Sequence, residues 1–206
     1  MFSNEVFGPR GGSVRSWKGA DAGLRRGTAV DSQITRLVRR GVCGPGPGQF
    51  KLTKAIFSAL QIEGLVPLMS QLAVADKRAG IATAMDLLCY DESTLALAVV
   101  ELKCGFSGNV KIPASTGGGT ACRMQHPLKS VPDTILNRHF AQLACTFHMF
   151  SSDATASGVV EEHGFGKLNR AVLIYADELG SGPRARVYEL PLWWRRKGST
   201  ILKNIG

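Results

Sequence analysis

Two apolar periods taking turns along one chain predict an α/β fold. Residues 22–40 and 51–65 place their apolar side chains at helical spacing, residues 71–103 break into three short apolar runs, and helical spacing returns at 137–150. At 206 residues the chain is long enough for one domain with a substantial core, and a second full domain would be crowded.

Residues 1–20 are rich in Gly, Ser and Arg and read as a flexible basic arm. From Ala22 to Arg40, Leu24, Val30, Ile34, Leu37 and Val38 form one apolar stripe with arginines on the other side, which predicts an amphipathic basic helix. The Gly- and Pro-dense stretch Gly41 to Gly48 ends it. A second helix is expected from Lys51 to Leu65. Gln71 to Asp76, Ile81 to Tyr90 and Thr94 to Lys103 then read as a three-stranded antiparallel meander, joined by the turns KRAG and DES. Residues 105–135, with Gly117 to Gly119, read as a long loop of functional or mobile character. Asn137 to Phe150 is expected to be a helix with one buried face. Asn169 to Ala176 and Arg186 to Leu192 read as two further strands, and a basic tail is expected over 196–206, leaving 21–195 as the folded domain.

Composition narrows the function classes. Hydrophobic residues at 44% and charged residues at 20% exclude a wholly disordered chain. No apolar run approaches the roughly 18 to 20 residues of a membrane span, so no membrane partner is expected. The first residues lack the apolar core of a secretory signal, and Glu5 argues against a transit peptide. The five cysteines, Cys43, Cys89, Cys104, Cys122 and Cys145, are scattered and form no CxxC pair. This points to an intracellular, reducing compartment and away from structural zinc or an iron-sulfur cluster, with most of the thiols expected to be buried. The net charge of +9 sits at the two ends: residues 1–50 hold eight Lys/Arg against three acids, and residues 183–206 six against one. Such an uneven basic surface suits a polyanion, most naturally nucleic acid, although it also serves solubility.

The segment from Met85 to Lys103 carries the chemistry. MDLLCYDESTLALAVVELK sets Asp86 in one apolar strand and Glu101 and Lys103 at the end of the next. Alternation sends Glu101 and Lys103 to the same face of the strand. A turn at Asp91 to Ser93 places Asp86 roughly opposite Leu97 to Val100, so a slight bulge or splay would converge the three groups. Carboxylates are the natural ligands of Mg²⁺ or Mn²⁺ in phosphodiester hydrolysis, and the carbonyl of Leu102 is a further candidate ligand. Lys103 would orient the attacking water or offset transition-state charge.

The order basic helix, strand, AMDLL, turn, VVELK, loop, helix with Gln142 resembles the PD-(D/E)xK nuclease superfamily, closest to lambda-type and RecB-like exonucleases including viral alkaline exonucleases. RRGTAVDSQI supplies Gly27 and Asp31 where that group carries a G-x-x-x-H or G-x-x-x-E pattern in its first helix. Gln142 fits the Q of a Q-x-x-x-Y motif, with Thr146 and Phe147 at the position of the aromatic hydroxyl. The resemblance implies a restriction-endonuclease-like core, α-β-β-β-α-β, with a central mixed sheet flanked by helices. It also implies Asp86 and Glu101 as metal ligands, Lys103 as catalytic and Gln142 as a positioning group. The activity implied is a Mg²⁺- or Mn²⁺-dependent deoxyribonuclease, most naturally an exonuclease processing DNA ends in replication or recombination. A structure-specific endonuclease or resolvase, and a non-catalytic nucleic-acid-binding protein, are the alternatives. Further expectations are a homo-oligomer, a single-strand annealing or recombination partner, and a viral origin with the host nucleus or cytoplasm as its location.

Asp31 is either a further acid of the site or an exposed helix charge, and Glu63 either an upstream acid or a helix-end charge. Arg25, Arg26, Arg36, Arg39 and Arg40 are candidate phosphate contacts, since arginine dominates and no acid pairs with them at i+4, but a solvated helix face is the ordinary alternative. His126, His139, His148 and His163 lack metal-ligand spacing and read as structural or solvent-facing. Trp193 and Trp194 could stack on bases, with burial at a strand end favoured.

Overall fold

The structure, a computed structural model, describes residues 22–106, 108–112, 122–153, 158, 162, 164–179 and 182–205. The arm at 1–20, the Gly117 to Gly119 segment and His163 lie outside the described residues.

Helix α1 (Ala22–Val38) buries Val30, Ile34 and Val38 at four-residue spacing and leaves Arg36 exposed, with Arg39 and Arg40 exposed just beyond its end. Gly41, at φ +73°, ends it: the Gly41 N–H donates to the Val38 carbonyl and the Val42 N–H to the Leu37 carbonyl, a closure that needs a left-handed residue at Gly41. The buried Gln33 carboxamide holds the following loop. Its Oε1 accepts from the Phe50 N–H at 2.7 Å, and its Nε2 donates to the Gly48 carbonyl at 3.4 Å. Helix α2 (Lys51–Ile62) buries Leu52, Ile56, Phe57 and Leu60. It stops three residues short of the expected end because Gly64, at φ +66°, turns the chain into the sheet.

Strands β1 (Leu65–Asp76), β2 (Ile81–Asp91) and β3 (Ala96–Cys104) form the antiparallel meander. β1 begins six residues earlier than expected. It carries Pro67 on the edge of the sheet, where a register shift between Pro67 and Met69 absorbs the missing N–H. Helix α3 (Ile135–Ser152) opens on Thr134, whose hydroxyl accepts from the Asn137 N–H, and leads to β4 (Gly166–Leu179), parallel to β3. β5 (Gly182–Glu189) pairs antiparallel with β4, and α4 (Leu192–Ile205) follows. The sheet order is β1-β2-β3-β4-β5, a mixed sheet with helices on both faces. The element order α-β-β-β-α-β expected from the resemblance is present.

Two cores sandwich the sheet. α1 and α2 pack on Leu87, Ala98, Val100, Val172 and Ile174, whereas α3 and α4 pack on Leu97, Val99, Ala171, Leu173 and Tyr175. The middle strands are buried on both faces, as a parallel pair covered by helices must be.

The C-terminal segment departs from expectation. The expected strand to Leu192 ends at Glu189, and residues 196–205 of the expected tail belong to α4. Trp194, Gly198, Ile201 and Leu202 share one buried helical face, and the charged run Arg195 to Lys197 masks that period in the sequence. Trp194 is therefore fully buried on a helix rather than at a strand end, while Trp193 stacks on it and stays half exposed. Of the five cysteines only Cys89 is buried. The other four are partly exposed, and all are free thiols.

Candidate functional site

Alternation along β3 places Leu97 and Val99 toward α3, and Glu101 and Lys103 continue that face. Lys103 Nζ donates to Glu101 Oε1 at 2.6 Å, and both meet Gln142 from α3. The Gln142 Nε2 donates to Glu101 Oε1 at 2.7 Å, while its Oε1 accepts from Lys103 Nζ at 3.1 Å. Glu101 is 2% exposed, and its Oε2 is buried without a hydrogen-bond partner.

Asp86 arrives from β2. The β2–β3 ladder ends with Leu87 opposite Val100, so Asp86 falls beside Glu101 and not opposite Leu97 to Val100 as the sequence suggested. The turn spans residues 92–95, which shifts the register. The strands then splay, and Asp86 Oδ2 accepts from the Leu102 N–H at 2.8 Å in place of a ladder bond. A residue's N–H and C=O point to the same edge of a strand, so the Leu102 carbonyl is also directed to the side where β2 has left.

A parity break accompanies the splay. Leu87 packs with α1 and α2, yet Met85, two residues earlier, packs with α3. Strict alternation would put both on one face. The irregularity therefore sits at Asp86, and its β1 neighbour shares it: Gln71, between the pairs Ser70 to Leu87 and Leu72 to Met85, has φ +54°. The Gln71 Nε2 donates to Asp31 Oδ1 at 2.8 Å and lies 3.4 Å from Asp86 Oδ1. Asp31, on α1, thus faces the same cleft instead of solvent.

The cleft, of about 300 Å³, is lined by Gly27, Asp31, Asp86, Glu101, Lys103 and Gln142. A second cleft of about 490 Å³ shares Asp31 with it and is lined by Gln71, Arg36, Arg39 and Arg40. Arg26 lies elsewhere, beside Phe50 and Glu178, and Arg25 is exposed. Three of the five candidate arginines therefore border the site.

Glu63 does not belong to the cleft. It follows α2 and pairs with Arg170, whose guanidinium also reaches Asp91 and Glu189. Asp91 pairs with Ala96 at the start of β3, so this cluster sits about 15 Å along the strand from Glu101. Thr146 is buried and donates its hydroxyl back to the Gln142 carbonyl, so neither it nor Phe147, which lies under Arg195, supplies a hydroxyl to the site. His139 instead sits one turn before Gln142 and lies 2.7 Å from the hydroxyl of Tyr175, the β4 neighbour of Lys103.

Burial raises the pKa of Glu101 to about 7; the adjacent Asp86 charge adds to this and Lys103 opposes it. Burial likewise raises Asp86, against the Leu102 N–H and Lys103, and raises Asp31 against its bond from Gln71. Burial and the Lys103 charge lower His139 to about 4, so its imidazole is neutral at physiological pH. Among the described residues no three His, Cys, Asp or Glu side chains converge closely enough to cage a metal by themselves. Two adjacent carboxylates, one with a buried unpartnered oxygen, still fit Mg²⁺, which takes one or two carboxylates and fills its remaining positions with water and substrate phosphate. Gln71 and Tyr175 escaped the sequence reading, and His139 reads there as structural or solvent-facing, because nothing in their spacing distinguishes them from ordinary strand and helix residues.

No family model matches the chain, and no curated protein matches it. A solved structure from Eubacterium rectale, provisionally described as an exonuclease, is 12% identical with a TM-score of 0.44. The match covers 86% of this chain and 64% of that one. No helix among the described residues is long and apolar enough to cross a membrane.

Proposed function

We propose that the chain is a divalent-metal-dependent deoxyribonuclease that hydrolyses phosphodiester bonds, acting as an exonuclease at DNA ends. The observation that supports this reading is the convergence of Asp86, Glu101, Lys103 and Gln142 on one open cleft beside Arg36, Arg39 and Arg40. Asp86 and Glu101 would hold the cation, with the Leu102 carbonyl as a further oxygen. The chemistry a bound Mg²⁺ or Mn²⁺ supplies is a more acidic water and charge neutralisation at phosphorus.

The chain's own groups divide the remaining work. The Lys103 ammonium, one-fifth exposed, is placed to donate to the attacking water or to the phosphorane oxygens. Gln142 fixes the relative position of Lys103 and Glu101. Arg36, Arg39 and Arg40 offer forked donors for the backbone phosphates of the strand entering the cleft. In the reaction a water oxygen bonds to phosphorus, the P–O bond to the leaving sugar breaks, and the leaving oxygen takes a proton.

The test is degradation of end-labelled linear duplex and closed circular duplex, with and without Mg²⁺, alongside Lys103→Ala. Mg²⁺-dependent loss of the linear substrate alone, abolished in the variant, is the expected result. Cleavage of the circle would replace the exonuclease reading with an endonuclease one. Wild-type protein inactive on both would leave a nucleic-acid-binding protein.

A further inference from the structure

Gln71 is one of two non-glycine residues with positive φ among the described residues; the other, Leu95, lies in the β2–β3 turn, where such a conformation is ordinary. Gln71 lies in the middle of the twelve-residue β1, and no turn accounts for it. A side chain with a Cβ pays for a left-handed backbone in steric strain, and strain of this kind persists where the surroundings over-determine it, typically at functional sites.

What over-determines Gln71 meets its carboxamide nitrogen. One nitrogen faces two carboxylates from different layers of the fold, Asp31 on α1 and Asp86 on β2. Those carboxylates repel each other, and burial removes the water that would screen them. The same point in the hairpin is where β2 changes parity between Met85 and Leu87, which turns Asp86 out of the ladder toward the Leu102 N–H.

We propose that Gln71 is a positioning residue: its left-handed backbone and its carboxamide, anchored on Asp31, hold Asp86 in the geometry that receives the cation, at a cost in stability. The proposal rests on the metal-dependent reading of the cleft, and its test separates the two. Gln71→Gly and Gln71→Ala both delete the amide; glycine relieves the left-handed strain but loosens the unfolded chain, so it melts higher only where the strain exceeds that entropy cost.

The measurements are the melting temperature of the metal-free variants and the affinity of each for Mn²⁺ by calorimetry. Gln71→Gly should melt about 2 to 4 °C above Gln71→Ala, and both should bind Mn²⁺ at least about tenfold more weakly than wild type. An alanine variant as stable as the glycine variant overturns the backbone argument. Mn²⁺ affinity within about twofold of wild type in both variants overturns the positioning role. Loss of affinity in both variants while wild type binds Mn²⁺ but cleaves no DNA upholds Gln71 and sinks the nuclease reading instead.

Discussion

Gln142 holds Glu101 through a 2.7 Å hydrogen bond from its Nε2, and the other end of the same carboxamide accepts from the lysine paired with that glutamate. One planar group thus reads both halves of the Glu101–Lys103 pair from a different element. Gln142 is itself exposed and supports little packing. Gln142→Ala is therefore expected to lower the rate of Mg²⁺-dependent cleavage by about 10- to 100-fold while leaving the melting temperature within about 1 °C. Steady-state kinetics beside a thermal melt check it, and a parallel loss of stability would reassign Gln142 to a structural role.

Glu101 gives a stability prediction with a defined sign. Its folded pKa, about 7, lies above the ordinary 4.5, so the fold disfavours the charged form. That penalty is absent below about pH 4.5, grows as pH rises and is complete above about pH 7. Glu101→Gln should therefore be more stable than wild type at pH 8 without metal, by on the order of 3 kcal/mol at most. The advantage should vanish at pH 4, and cleavage should be lost at every pH. Melts across this range with chelator present decide it.

Arg36, Arg39 and Arg40 make a prediction about salt rather than chemistry. Each phosphate contact contributes up to about 0.9 to the slope of log affinity against log salt on duplex DNA. Replacing Arg39 and Arg40 with Ala is expected to flatten that slope by about 1 to 2, whereas replacing Arg25, outside the clefts, should leave it unchanged. Binding titrations in Ca²⁺ at several salt concentrations provide the comparison.

Glu63 and Arg170 should behave as structural groups. Glu63→Gln is expected to leave the cleavage rate unchanged. Arg170→Met should cost more stability, about 3 kcal/mol, because Asp91, with no exposed side-chain surface, loses its cation. A denaturant melt of each variant beside its cleavage rate tests this, and loss of activity in Glu63→Gln without loss of stability would return Glu63 to the site.

How much of this could be read from the sequence depended on whether the signal was local. Glu101 and Lys103 were legible because strand alternation alone puts them on one face, and Asp86 because a short turn brings β2 back beside β3. Gln142 was legible through its resemblance to a motif. Gln71 was not, because its role depends on a backbone angle and on a partner forty residues away on α1. Glu63 stayed open between a site acid and a helix-end charge because sequence carries its charge but not the Arg170 that claims it from β4. The C-terminal helix was missed because three consecutive basic residues obscured an apolar face built from only Trp194, Gly198, Ile201 and Leu202.

That helix yields a prediction in which two principles oppose each other. Gly198 lies inside α4, where helix propensity alone favours alanine by about 1 kcal/mol. A Cβ on Gly198, however, would stand 2.1 Å from the Ala144 carbonyl oxygen and 2.7 Å from its carbon, atoms of the α3 backbone that cannot rotate away. α3 and α4 would have to separate, loosening Trp194 from Phe140 beneath it. Packing should win: Gly198→Ala is expected to lose about 2 kcal/mol or more, visible as a drop of several degrees in the thermal melt. An exposed basic tail would show the opposite sign or no change. Because α3 also carries Gln142, cleavage by the folded fraction should fall as well, which distinguishes displacement of α3 from simple unfolding.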